Sequence, residues 1–481
     1  MDKSVAERSP EVTELYKDWE IAEALLGGTR KMREEGIKYL PQWPNEEYDQ
    51  YQTRLRTATL FPAFQQTVET LTGKPFSQPI TLSNDIPAKM LPWLQDVDLE
   101  GRNLHTFAAC VMEGALGIGL SGILVDYPKV NARTVAEERE IGARPYMCHV
   151  PACKILGWLA SRAQGKWTLQ QLRLTECVEE PDGPFAVKKV EQVRVLYPGA
   201  YQIWRKQETA PGEEETWFLF EEGVTTLPYI PFVPVYGKRI GYMMGVPPML
   251  ELAHLNIKHW QSQSDQDTLL HVARVPILVR TGMQDIIASD GSFNRPKLVI
   301  GSSAAVDLPK DATLQFCEHT GQAIGAGKIS LDDLKDEMRA AGAEMLVNKA
   351  ATPSASSIQD MGENLKGMCA LQRVTLGLQD ALNTALQFMS DWAALGNGGS
   401  VNLFSDFGAA NLNEATQELV MQMQQSGIIS KETTFKEAQR RSIINPEIVY
   451  DEELKKATAD GPAMALQLIA AQPKPVASKP A

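Results

Sequence analysis

Apolar residues first recur with a helical rhythm. From Glu11 to about Arg33 they return every three or four positions, and the same spacing runs through Tyr48, Tyr51, Leu55, Ala58, Phe61, Phe64, Val68 and Leu71. Pro62 lacks a backbone donor and predicts that this second stretch is two helices. A helix from about Arg102 to Ala115, with Leu104, Phe107, Ala108, Val111 and Met112 on one side, runs into Gly117-Ile118-Gly119-Leu120-Ser121-Gly122 and the strand-like Ile123, Leu124 and Val125. Over 144–236 the rhythm changes. Runs of β-branched and aromatic residues (190–197, 201–204, 217–220) are cut by Pro198-Gly199 and Pro211-Gly212, which predicts an antiparallel meander. Pro228, Pro231 and Pro234 then predict an extended connector.

Helical spacing resumes after Pro247 and Pro248 with Met249, Leu252, Ala253, Leu255 and Trp260, but the stretch 261–267 (QSQSDQD) is polar on every side. Such a helix is expected to bridge through solvent or to pack against copies of itself. Strand-like pieces at 276–280 and 297–300 precede a short helix at about 330–346. From 357 to 395, Ile358, Met361, Leu365, Met368, Leu371, Leu378, Leu382, Leu386, Met389 and Trp392 keep helical spacing, predicting one rod of about 60 Å at 1.5 Å per residue. Glu363, Lys366, Arg373 and Asp380 interrupt it too often for a membrane span, and Gly362, Gly367 and Gly377 are candidate bends. Amphipathic helices at about 412–425 and 430–442 follow, then a proline-rich tail from Gln472 that is too poor in apolar residues to pack. The fold class expected is α+β.

Length and charge narrow the function. At roughly 100 to 200 residues per domain, 481 residues hold about two to four folding units. Lys plus Arg number 47 against 60 Asp plus Glu, so the net charge of −13 argues against a protein that grips nucleic acid tightly. Cys110, Cys148, Cys153, Cys177, Cys317 and Cys369 show no paired short spacing, which suits reduced thiols in a cytoplasm. The charged N-terminus is not expected to be a signal peptide, and no run of about 18 apolar residues predicts a membrane partner.

Motifs for chemistry fare poorly. Gly117–Gly122 matches GxGxxG, but that fingerprint needs a strand before it and a helix after it; here the order is reversed, which predicts a glycine-rich helix-to-strand turn. The pairs Gly73-Lys74, Gly165-Lys166, Gly237-Lys238 and Gly327-Lys328 lack the following Ser or Thr that would hold magnesium. Cys148, His149 and Cys153 lack a fourth zinc ligand nearby, and His254, His259 and His271 are not spaced as ligands on one helix face. Asp332 and Asp333 read as a solvated face, and there is no GxSxG elbow. No catalytic, cofactor or metal residue is assigned.

The order of parts carries a resemblance. A helical and β-rich half, a helix with a polar flank, a small β insertion, a returning helix, a short loop and one very long helix resemble the portal proteins of tailed bacteriophages. The phrases YLPQWPNEEYDQYQTRLRTATLF, LTGKPF and GIGLSGILVDYP resemble a portal subgroup long described only as a domain of unknown function, and the likeness spans about 10–450. It implies a wing at 1–246, a first stem helix at 247–272, a clip at 273–325, a second stem helix at 326–347, a tunnel loop at 348–356, a long helix at 357–395, crown helices at 396–460 and a flexible tail at 461–481. It also implies a homo-oligomeric ring, usually of twelve subunits, at one capsid vertex, assembled in the host bacterial cytoplasm. Double-stranded DNA passes through such a ring, and its partners are the terminase large subunit, a head-tail adaptor or tail proteins, and the major capsid protein. Within this frame Asn348, Lys349 and Thr352 are the channel candidates, and Arg280, Asp285 and Lys297 the docking candidates of the clip. The alternatives are a cytosolic multidomain enzyme with an unrecognised active site and a capsid-interior protein without a channel.

Overall fold

The computed structural model describes residues 4–129, 137, 141–163, 165–207, 216–273, 277–281, 286–287, 293–294, 313–317, 322–346, 368–405, 407, 424, 426, 430–440, 448 and 450–460. The chain divides into two compact units, 1–405 and 406–481. The fold is mixed α and β, as expected.

The first unit opens with α1 (Pro10–Leu26) and α2 (Gly28–Glu35). Ser9 caps α1 by accepting from the Val12 amide at 3.4 Å, and Pro10 stands where no amide partner is required. The single helix expected over 11–33 is broken at Gly27-Gly28, where Gly28 takes φ +69°. Next come α3 (Tyr48–Thr57) and α4 (Ala63–Gly73), split before Pro62 as predicted, and α5 (Leu104–Ile118), capped by Asn103. A two-residue strand β1 (Thr81–Leu82) lies between α4 and α5.

Two sheets follow. β2 (Leu120–Asp126) is the centre of a three-stranded antiparallel sheet between β3 (Tyr146–Pro151) and β9 (Phe232–Tyr236). β4 (Ile155–Ala163), β5 (Lys166–Asp182), β6 (Ala186–Tyr197), β7 (Ala200–Lys206) and β8 (Trp217–Val224) form the expected meander in sequence order. The proline connector is partly a strand: Pro234 lies in β9 opposite Gly122, and an edge strand tolerates the missing donor. Val12, Leu15 and Trp19 of α1 pack with Leu120, Leu124, Ile155, Leu172 and Phe232 of the sheets in one core, and Trp19 Nε1 donates to the Gly245 carbonyl at 2.9 Å. A small hairpin of β10 (Lys238–Gly241) and β11 (Met244–Val246) closes this half.

The chain then enters α6 (Leu250–Ala273), crosses the short strands β12 (Ile277–Thr281), β13 (Ile286–Ile287), β14 (Phe293–Asn294) and β15 (Thr313–Cys317), and returns through α7 (Gln322–Ala343). A 3-10 turn, Glu344–Leu346, ends α7. The helix expected over 357–395 begins, among the described residues, at α8 (Ala370–Trp392), about 35 Å long at 1.5 Å per residue. It does not run through Cys369, which is extended and accepts from the Gln372 amide through its sulfur at 3.4 Å; residues 357–367 lie outside the described residues. Leu371, Val374, Leu378, Leu382, Leu386 and Met389 of α8 are buried against β2, β9 and α5. At about 1.5–3 kcal/mol for each fully buried side chain, this face alone anchors the helix. Past α8, β16 (Val401–Asn402) pairs with β1.

In the second unit α9 (Lys431–Arg440) is capped by Ser430, and Phe435 meets Tyr450 of α10 (Tyr450–Asp460) edge-on at 5.3 Å. The helix expected at 412–425 falls mostly outside the described residues, as does the tail 461–481.

Candidate functional site

The helix pair α6 and α7 occupies the positions that the resemblance gives to the stem. On α7, Leu331, Leu334, Met338 and Gly342 face inward, three or four residues apart, while Lys328, Asp332, Asp333, Asp336, Glu337 and Arg339 are exposed. Two of its acids pair along the helix, Asp336 with Arg339 at 2.7 Å and Asp332 with Lys335 at 3.3 Å. Over the two helices seven carboxylates stand against four Lys and Arg side chains, so the pair presents an acidic exterior.

The polar stretch of α6 lies only partly in solvent: Asp265 and Asp267 are exposed. Ser264 and Gln266 are buried, Gln261 donates to the Tyr39 carbonyl at 3.0 Å, and Gln266 donates to the Ile324 carbonyl at 3.1 Å. A Cβ on Gly327 would overlap the Gln266 amide, so glycine lets that side chain keep its position between α6 and α7. Ten residues before Gln266, the Asn256 side chain accepts from the Phe64 amide at 3.0 Å and donates to the Phe61 carbonyl at 2.9 Å, bridging the break before α4. Gln261 and Gln266 thus make contacts within the chain that the sequence did not disclose, Asp265 and Asp267 face solvent as expected, and the buried Ser264 hydroxyl has no partner among the described residues.

At the far end of the pair, β12 and β15 run antiparallel, with Ile277 opposite Cys317 and Arg280 opposite Leu314. They bring the start and end of the predicted clip together. Of the docking candidates, Arg280 is placed by its backbone on β12, and Asp285 and Lys297 lie outside the described residues, as do the channel candidates Asn348, Lys349 and Thr352.

Sequence reasoning missed two buried networks. Arg54 forms a two-point ion pair with Glu46 at 2.8 Å, donates to the Pro41 carbonyl at 2.7 Å and lies 4.2 Å from the Trp43 ring centre. This clamp holds Glu46 below the usual carboxylate range, the hydrogen bond from Arg54 being the largest lowering influence, and it gives a physical role to the phrase 39–61. The other network surrounds Arg194, which contacts Asp126 at 2.7 Å and Glu176 at 3.6 Å at the bottom of a cleft of about 530 Å³.

The motifs weighed for chemistry resolve into packing. Gly119 ends α5 at φ +98°, and a Cβ there would overlap the backbone of Val246 and Pro247; one on Gly122 would strike the Phe232 ring. His149 is within hydrogen-bond reach of Ser121 (2.8 Å) and Cys110 (3.4 Å), a pairing that sequence order did not reveal. Ser121 is fully buried on the central strand, so no substrate reaches it, and burial brings the His149 pKa down to about 4. Burial likewise pushes the Cys148 thiol up to about 12, the inert state of a core cysteine. His259 is buried against Phe61 while His254 and His271 are exposed, so the three do not converge. Among the described residues there is no group of His, Cys, Asp and Glu arranged to hold a metal ion, and no helix is long and apolar enough to cross a membrane.

Residues 248–393, which hold α6 through α8, match a family described as a domain of unknown function, DUF4055. No curated protein matches the chain. Among solved structures, a chain from the neck of an empty gene transfer agent particle, computed with C6 symmetry, is 11% identical with a TM-score of 0.40, over 77% of this chain and 88% of that one. A chain from the virion of a native gene transfer agent particle is 12% identical with a TM-score of 0.40, over 85% of this chain and 97% of that one.

Proposed function

We propose that the chain is a structural protein of a tailed-phage-type particle, acting as the ring at the head-to-tail junction through which double-stranded DNA passes. The observation that carries this reading is the continuous block from α6 to α8: an antiparallel helix pair with an acidic exterior, a short β segment joining its far ends, and a third helix anchored in the body. The family match spans this block from Pro248 to Ala393. In a ring, the helix pairs would surround a channel. A wall with more carboxylates than cations releases few counterions from DNA and holds it weakly, as a conduit for a moving duplex requires. No phosphate-binding loop is present in the sequence, so the force on the DNA comes from a separate ATPase, a terminase by the same reading.

The finer assignments follow from this frame. Lys349 is the single charge in the loop 348–357 that joins α7 to the segment before α8, so with Asn348 and Thr352 it would form a ring of weak phosphate contacts at the narrowest point. The strands after α6, with Arg280, Asp285 and Lys297, would project as the surface that receives terminase and later an adaptor. Light scattering and single-particle electron microscopy of the purified chain test the whole reading. The expected result is a closed ring of several hundred kilodaltons with a central hole wide enough for a duplex. A 53.1 kDa monomer at every salt and protein concentration would overturn it.

A further inference from the structure

Phe185 is 100% exposed, at the turn joining β5 to β6 where Gly183 takes φ +79°. β6 pairs with β7 only from Gln192 onward. Before that point 177–182 and 186–191 have, among the described residues, no strand partner but each other. The ribbon therefore extends about 20 Å past the sheet at some 3.3 Å per residue, and Arg205 of β7 reaches along it to pair with Glu180, four residues beyond Glu176, at 2.8 Å. Val187, beside the tip, is 59% exposed. A two-stranded ribbon is marginal in water by itself, and an aromatic tip left in solvent contributes nothing to folding. Covering the tip in an assembly accounts for both.

A receptor for such a tip lies at the base of the same arm. The cleft of about 530 Å³ begins at Glu176 and Gln192, where the ribbon leaves the sheet. Tyr197, Tyr201 and Ile203 line it together with the stacked rings of Tyr127 and Trp392, 6.0 Å apart and 10° from parallel. Val224 at its lip is 88% exposed. The charges inside are matched to one another: Arg194 to Asp126 and Glu176, and Lys129 and the Tyr201 hydroxyl to Glu221. The cleft thus holds three carboxylates to two cations, an excess that disfavours anions, and its one charged donor without a partner among the described residues, Arg194 Nε, is buried. The cleft has aromatic and aliphatic walls, and on them the Gln192 Oε1 acceptor, buried and without a partner. That chemistry suits an aromatic side chain carried on a turn whose amides are free to donate.

We propose that Phe185 of one copy seats in this cleft of the next copy, head to tail. The inference rests on the ring reading above and supplies it with a contact. Tip and cleft stand one arm-length apart, and the ribbon leads away from its own cleft, so the chain does not fill the cleft with its own tip. A second copy displaced by about 20 Å along the arm places its tip there and presents its own cleft to a third. Such a heterologous contact repeats and, with a rotation at each step, closes into a ring.

Disulfide trapping tests this directly. In a Cys177→Ser background, which removes the exposed thiol of the arm, the pair Phe185→Cys with Val224→Cys should give, on oxidation, a covalent ladder longer than a dimer. Each single variant should give none. Phe185→Asp should raise the concentration needed for assembly at least tenfold without moving the thermal midpoint of the subunit, because the side chain touches nothing in its own chain. Assembled rings with no ladder and no effect of Phe185→Asp overturn this contact and leave the ring reading standing. A ladder that stops at the dimer, or cross-linking by Phe185→Cys alone, means a two-fold exchange and overturns the head-to-tail contact. A wild-type chain that is monomeric throughout overturns both readings.

Discussion

His149 shows how far a single side chain is governed by burial. Its ring is wedged between Ser121 and Cys110, and desolvation, with the charges of Arg102 and Lys154 adding to it, lowers its pKa from 6.5 to about 4. The folded state therefore keeps this group neutral where the unfolded chain takes up a proton. Its contribution to stability is complete above about pH 6.5, is lost as the pH falls from there, and levels off near pH 4. Roughly 2 kcal/mol should be lost by pH 5. Urea midpoints at pH 7 and pH 5 should show this loss in the wild type, and His149→Gln should show correspondingly less; equal losses in the two would refute the assignment. The sequence disclosed part of this local detail. The order of elements around Gly117–Gly122 predicted a glycine-rich helix-to-strand turn, and the left-handed Gly119 ends α5 there. The Ser121–His149 contact and the Arg54–Glu46 clamp were not legible. The first joins neighbouring strands through a register fixed only by pairing, and the second depends on a turn that folds Glu46 back over Arg54.

Elements were easier to read than their partners. Where apolar spacing was sustained, as in α3, α4, α5 and the buried face of α8, the periodicity predicted helices, and Pro62 divided two of them as expected. Errors arose where a tertiary partner changed the meaning of a residue. Pro234 reads as connector until β2 makes β9 an edge strand, and Gln261 and Gln266 in the polar run of α6 read as solvated until Tyr39 and Ile324 supply carbonyls for them. Asn256 belongs to the same class and carries the clearest consequence. It is fully buried and satisfies the Phe64 amide, while the Phe61 carbonyl it also meets accepts from the Ala63 amide at 2.9 Å as well, so Asn256→Ala leaves one backbone group, the Phe64 amide, without a partner inside the protein. At about 1–3 kcal/mol for such a group, the variant should lose roughly 1–3 kcal/mol of stability, a drop visible in urea unfolding. A loss under about 0.5 kcal/mol would mean that water replaces the side chain without cost.

At the scale of the whole molecule, the proposed ring makes assembly and DNA passage separable. The body holds its shape through the core around Trp19 and the buried face of α8, neither of which includes the loop 348–356 or the strands between α6 and α7. Changes in those two segments should therefore leave subunit folding and ring formation intact. Charge reversal at Arg280 together with Asp285 should then prevent terminase from docking, so particles would hold no DNA from the outset. Shortening 348–356, or Lys349→Glu, should instead let packaging begin, because the docking surface is untouched. The loop next to the acidic helix pair would be left without its one ring of cations, and DNA would be retained poorly. The check is genome content per particle, measured early and late in assembly, beside electron micrographs of the purified rings. Rings that assemble, bind terminase and package normally in both variants would remove the channel and the docking surface from these segments, because neither variant disturbs the fold on which an indirect effect would depend.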